Sequence, residues 1–188
     1  VPALCNALND HRIPVRREAA RALGRLDEMS AVPDLIMALD DPDPSVQSGC
    51  VTALTQMNAA QAASRIKKMI DTPSRQVSGH SVHAVAALLK EESIPFLEAL
   101  ISSHPQTYVR CEALLALTRL APQPGYSAAI ACLSQTDKPV LISACKRLGK
   151  LENPSAIPAL EKLIGTNPPA SVRLAAQSAI NTIQLAAD

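Results

Sequence analysis

Two histidines three residues apart, His80 and His83, are the pair whose spacing most directly suggests chemistry in this 188-residue chain. Side chains three apart on a helix share a face, so the pair could offer two imidazoles to a metal ion. No third ligand is evident beside them; a Cys or Asp from elsewhere in the fold would have to supply it. The plainer reading is a pair of surface or groove side chains. Five cysteines, Cys5, Cys50, Cys111, Cys132 and Cys145, include no Cys-x-x-Cys pair. Their odd number gives no disulfide framework. They read as buried free thiols of a reducing compartment, which points to the cytoplasm. The acidic pairs Asp40-Asp41 and Glu91-Glu92 read as turn and helix-end charges. No Gly-rich phosphate loop, Ser-His-Asp arrangement or zinc spacing occurs. The sequence therefore assigns no catalytic residue, no metal site and no cofactor.

The elements that would position these side chains follow from composition and period. Apolar residues make up 47% of the chain, yet there is no Trp, one Phe and two Tyr. A core of Ala, Leu, Val and Ile suits closely packed helices. A net charge of +1 gives no general attraction to nucleic acid. No apolar run approaches the roughly 18 residues of a membrane span. The chain opens at Val1 in the middle of a pattern, so it reads as part of a longer protein.

That pattern is a repeat. Val15, Val46, Val77, Val109, Val140 and Val172 recur at steps of 31 or 32 residues. Four residues after each comes a small one: Ala19, Cys50, Ser81, Ala113, Ala144 or Ala176. Eight after come Leu23, Leu54, Val85, Leu117, Leu148 and Ile180; eleven after come Leu26, Met57, Leu88, Leu120, Leu151 and Ile183. These offsets lie on one helical face and predict six amphipathic helices. A shorter apolar column precedes each, at Leu4, Leu35, Ile66, Leu97, Ile130 and Leu160. Four of these shorter helices open with an aligned proline, Pro2, Pro33, Pro95 or Pro158, a residue suited to the first helical turn. Asp43 before Pro44 reads as an N-cap followed by the first helical residue. No period-two stretch predicts a strand. The expectation is one domain over residues 1–188, with repeats of about 1–30, 31–61, 62–93, 94–125, 126–155 and 156–188. Ordering one such unit costs more than its half-dozen buried aliphatic side chains return, so only the stack is expected to fold.

The phrase Val-Pro-x-Leu-x-x-Ala-Leu, followed by Asp-Pro-x-x-x-Val-Arg-x-x-Ala-x-x-Ala-Leu, resembles a HEAT repeat. Its short period is similar to the bacterial variety called PBS-lyase HEAT-like repeats. The resemblance covers essentially the whole chain and implies an all-α, right-handed α-solenoid whose second helices line a concave surface. It also implies a bond across units between a turn Asp and the Arg that follows the opening Val. Arg16, Arg110 and Arg173 match that Arg, whereas Gln47, Ser78 and Leu141 depart from it, so this polar ladder is expected to be broken in the middle. HEAT-like iron hydroxylases carry His-Glu ligand pairs; none of His11, His80, His83 and His104 is followed by Glu. HEAT-like DNA glycosylases use aromatic and acidic residues in a basic groove, which this near-neutral, Trp-free chain does not offer.

What remains is surface. Offsets 2, 6 and 9 from each Val are expected to point away from the core. Arg17 and Arg21 make the N-terminal end basic. Cys111, Leu115, Ile142 and Leu174 place apolar groups where polar ones are expected, beside His83 and Lys146. These eight residues form the candidate concave binding face, although some of the apolar ones could pack against adjacent helices. The function expected is a non-catalytic interaction or scaffold module binding a protein or peptide partner, with no nucleic acid or membrane and with possible self-association through uncapped ends. Two other readings stand beside it: an enzyme or enzyme subunit of the bilin lyase or isomerase type found with phycobilisomes, and a structural spacer in a larger protein.

Overall fold

The fold was analysed in a computed structural model that describes residues 1–187. Among these residues all regular structure is helical, as the repeat period predicts. The chain divides into two compact units, Val1–Ser93 and the segment from Ile94 onward. Each unit is a stretch of α-solenoid made of three helical pairs.

In the first unit the pairs are α1 (Pro2–Ala7) with α2 (Ile13–Leu26), α3 (Val32–Met37) with α4 (Pro44–Gln56), and α5 (Ala63–Lys68) with α6 (Arg75–Leu89). In the second they are α7 (Ile94–Ser103) with α8 (Thr107–Leu120), α9 (Pro122–Cys132) with α10 (Lys138–Leu151), and α11 (Ile157–Gly165) with α12 (Ala170–Ala187). The second helices stack in order: α2 on α4 and α4 on α6, then α8 on α10 and α10 on α12. Proline marks the starts as expected at Pro2, Pro33, Pro44 and Pro158, and Pro122 opens α9 in addition. Asp43 caps α4, its carboxylate accepting from Ser45 N at 2.9 Å. Four second helices end on residues with positive φ: Asp27, Asn58, Lys90 and Glu152. Ala121, after α8, is instead extended. The reason is Pro122, because a residue before proline is pushed away from helical ψ.

Most of the predicted columns form the core, with exceptions: Leu26 is 55% exposed, Val15, Leu120 and Leu151 are half-buried, and in the fifth repeat Ala129 and Cys132 are buried in place of Ile130 and Leu133. Val46, Leu54, Val77, Val109, Leu117, Leu148 and Leu160 are all fully buried. The small column at offset 4 is buried too, including Cys50 and Ala113. Offset 9 corrects the sequence reading. It does not face outward at Gly24, Ala86, Thr118 or Gly149, which are buried. The physical reason is that second helices touch through this position. A Cβ on Gly24 would lie 2.8 Å from Ala53 Cα, and one on Gly149 would lie 3.1 Å from Ala179 Cα. Offset 2 is buried as well at Ser48, and surface is carried along the array by offsets 3 and 6 and, on the same face, by offset 10, where Arg25, Gln56, Ala87, Arg119, Lys150 and Thr182 are all exposed.

The polar link between units forms where the sequence allows it. Arg16 donates from Nε and Nη2 to the Asp41 carboxylate at 2.6 and 3.0 Å, and from Nη1 to the carbonyl of Asp10 at 2.8 Å. At two of the three departures, Gln47 and Ser78, the arm toward the turn survives, whereas Leu141 has no donor. Gln47 Nε2 donates to the Asp41 carbonyl at 2.7 Å, and Ser78 Oγ to the Thr72 carbonyl at 3.0 Å. Each spans six residues, as does the Arg16–Asp10 bond. Arg110 pairs with the Gln135 side chain and lies 3.6 Å from Asp137. On the surface Arg65 pairs with Asp40 of the preceding repeat.

Cys50, Cys132 and Cys145 are buried, and burial pushes their thiols up to about 12, 11 and 11. Cys5 and Cys111 are half-buried.

Two outcomes follow from this packing. A Cβ on Gly125 would sit 2.5 Å from Thr118 Cα, whereas one on Gly165 would meet nothing within 4 Å. Gly125→Ala is therefore expected to destabilise by about 1–3 kcal/mol and to lower Tm, with Gly165→Ala neutral or slightly stabilising. An unfolded thiol ionises near 9.0, but Cys50 keeps its proton to about 12. Its contribution is thus complete below pH 9 and is lost as pH rises toward 12. Urea denaturation is expected to show lower stability at pH 10.5 than at pH 8, with Cys50→Ala flattening that fall.

Candidate functional site

Offsets 2, 3 and 6 of the second helices make the exposed strip of each unit. On α2 it carries Arg17 and Arg21, both exposed. Between them Glu18 is held below its usual carboxylate range, first by its bond from Arg25 at 2.8 Å and then by the field of Arg21 and Arg17. The strip is therefore cationic at this end, as the sequence predicts.

Between α4 and α6 the strip dips into a cavity of about 320 Å³. Its walls include Val51, Thr52 and Thr55 from α4 and His80, His83 and Ala84 from α6. Beneath the rim, Ser48 is almost wholly buried and its Oγ lies 2.5 Å from His80 Nδ1. Gln76 Nε2 donates to the same oxygen at 3.2 Å. Ser48 Oγ has two lone pairs and one hydrogen, so beside the bond from Gln76 it meets His80 Nδ1 as donor or as acceptor according to the tautomer. In both cases the contact fixes the ring, with Nε2 at the end away from Ser48. An imidazole nitrogen with a fixed orientation beside a mostly apolar cavity suits a polar group on a bound molecule.

The metal reading of His80 and His83 gains no third ligand: among the described residues no group of three or more His, Cys, Asp or Glu side chains is placed to hold an ion. One nitrogen of His80 is already committed to Ser48.

In the second unit the strip is more apolar. Cys111, Leu115 and Ile142 are half-buried, while Lys146 and Leu174 are exposed, Leu174 to 70%. The Cys111 thiol is pushed up by burial, with a bond to Ser143 opposing that shift. Nearby, burial lowers the Arg147 guanidinium, reinforced by Arg119. The structure thus brings His83 into a cavity with His80, places Arg17 with Arg21 on one helix, and sets Leu115, Ile142 and Lys146 on adjacent packed helices. Sequence reasoning left Ser48 and Gln76 out of the site. Ser48 sits at the outward offset 2, and its partner His80 lies at offset 3 of the following helix. The only signal was a serine one repeat and one residue before a histidine.

With that geometry in view, the family profile described as HEAT repeats matches residues 1–86, 32–118 and 94–181. The phycocyanobilin lyase subunit alpha of Nostoc sp. (strain PCC 7120) is 32% identical over 145 residues, covering 67% of this chain and 52% of its own length. The bilin biosynthesis protein PecE of Mastigocladus laminosus is 33% identical over 132 residues, covering 66% of this chain and 49% of its own. The chain thus spans about half the length of these curated relatives. Among solved structures, the complex of CpcE and CpcF of phycocyanin lyase from Nostoc sp. PCC7120 matches with a TM-score of 0.55 at 24% identity, over 97% of this chain and 81% of that one. A designed armadillo-repeat protein bound to a (KR)4 peptide matches with a TM-score of 0.53 at 20% identity, over 97% and 98%. These likenesses show the fold. The expectation of a non-catalytic interaction or scaffold module is overturned by the sequence relatives, which are named as a phycocyanobilin lyase subunit and as bilin biosynthesis proteins. The generic surface signals read from the sequence, charge and exposed apolar groups, do not separate a peptide groove from a pigment site.

The tautomer of His80 can be observed directly. Long-range ¹H–¹⁵N correlation at pH 8 is expected to show a single tautomer in the native protein and a mixture in Ser48→Ala. A mixture already present in the native protein would break the Ser48 relay.

Proposed function

From the premise that this chain belongs to the HEAT-repeat family, we propose that it is a bilin lyase-type subunit. In this reading it binds an open-chain tetrapyrrole on its second-helix strip. The observation that carries the reading is the 32–33% identity to a phycocyanobilin lyase subunit and to PecE across two thirds of the chain. The surface chemistry supports it. A bilin is a long conjugated molecule with two propionate arms, so it needs cations for the carboxylates and donors for its terminal carbonyls. Arg17 and Arg21 supply charge that no neighbouring carboxylate fully offsets. His80 supplies an oriented ring nitrogen, and Val51, Ala84 and Ala87 supply apolar wall.

The lyase relative is called a subunit, and both relatives are about twice as long as the matched region, so the complete activity is proposed to require further protein. A protein partner is part of this reading. The half-buried Leu115 and Ile142 and the exposed Leu174 give that partner an apolar strip in the second unit.

The test is an absorbance titration of phycocyanobilin with the 188-residue protein. A saturable shift and sharpening of the long-wavelength band is expected. Arg17→Glu with Arg21→Glu, or His80→Ala, should weaken it at least fivefold without changing the far-ultraviolet circular dichroism. A spectrum superimposable on that of the free pigment at all protein concentrations would overturn the proposal.

A further inference from the structure

The repeats also leave clefts on the edge where first helices meet the turns, and two of these clefts differ in character. In the first unit the cleft between the first two repeats has a volume of about 460 Å³ and is lined by Asp10, Asp34, Asp40 and Asp41. Arg16 crosses it to bind Asp41. In the second unit the equivalent cleft, between the fifth and sixth repeats, is larger, about 580 Å³. Its lining includes Ile130, Leu133, Leu141, Leu163 and Pro168, with Lys162 as the cation. Leu141 follows the opening Val140, as Arg16 follows Val15, and Asn167 stands five residues before Val172, as Asp41 stands before Val46. Both members of the ion pair are thus replaced, and the space that the pair crosses in the first unit is aliphatic in the second.

Leu141 is almost wholly buried, yet it lies against open space. Among the described lining residues there is no Asp, no Glu and no aromatic ring. A site without aromatic walls does not favour a flat conjugated ring system by stacking; it favours a flexible aliphatic body. A lone lysine with no carboxylate in the lining favours one negative charge on that body. The volume falls within the ordinary range for small-molecule sites, roughly 300–1,000 Å³. We propose that this cleft binds an aliphatic carboxylate, its chain against Leu133, Leu141 and Leu163 and its carboxylate at Lys162. The inference is independent of the tetrapyrrole reading, which concerns the other face of the helical pairs.

Octanoate is the probe, titrated into the 188-residue protein and followed by ¹H–¹⁵N correlation spectra. Saturable one-site shifts at Leu133, Leu141 and Leu163 are expected. Lys162→Ala, an exposed substitution, should weaken octanoate about tenfold, and 1-octanol should bind the native protein more weakly by a similar factor. Leu141→Arg, which restores the residue type of the first unit, should abolish binding. Ala159→Phe, which fills the cleft from a half-buried position, gives the same readout if Leu141→Arg does not fold. The proposal is overturned if octanoate does not saturate, or if Lys162→Ala and Ala159→Phe bind it as tightly as the native protein. Displacement of bound phycocyanobilin by octanoate from these same residues would also overturn it, by giving the cleft to the pigment.

Discussion

A helical pair of about thirty residues has only one place to put its aliphatic face, which is against the next pair. Val46, Leu54, Val77 and Leu117 reach complete burial only because a neighbour covers them. Each such side chain contributes roughly 1.5–3 kcal/mol relative to exposure, less than ordering a whole pair costs. This constraint fixes the other features. Second helices must come close, so Gly24 and Gly149 face Ala53 and Ala179 with no room for another carbon. Close helices leave no space for water, so the buried thiols keep their protons far above their usual range. Groups that could act on a ligand are confined to the exposed offsets of the second helices and the turn edges that stacking leaves uncovered.

The polar features follow from the same geometry. A stack of similar pairs brings the same sequence offset of consecutive repeats together. Ser48 and His80 meet because one stands at offset 2 and the other at offset 3 on the next helix. Arg16 finds Asp41 because each turn lies beside the start of the preceding second helix. Single substitutions at an offset can therefore convert a bonded edge into an open one without disturbing the aliphatic column, as Leu141 does.

The period of the valines made the fold legible because it repeats six times, and the four aligned proline starts and the Asp43 cap supported it because each has a local cause. Three features were not legible. The burial of offset 9 depends on how closely neighbouring helices approach, which the small residues at Gly24 and Gly149 permit but do not announce. The Ser48–His80–Gln76 cluster depends on contact between repeats, and within one repeat each of its members looks like an ordinary surface residue. The break in the polar ladder was visible at Gln47 and Ser78, but their retained bonds to the turn carbonyls were not. The apolar residues Cys111, Leu115, Ile142 and Leu174 were visible as a stripe, yet only Leu174 is strongly exposed.

The Arg16–Asp41 pair joins a side chain in one repeat to a turn in the following one. The units therefore look interchangeable in their cores but are not interchangeable at their edges. A genetic duplication or reshuffling that moved one repeat alone would leave an acidic turn without its cation or a guanidinium facing an oily gap. The order of repeats is thereby inherited as a string of matched neighbours, and the gene can lengthen safely only by copying a donor together with its acceptor.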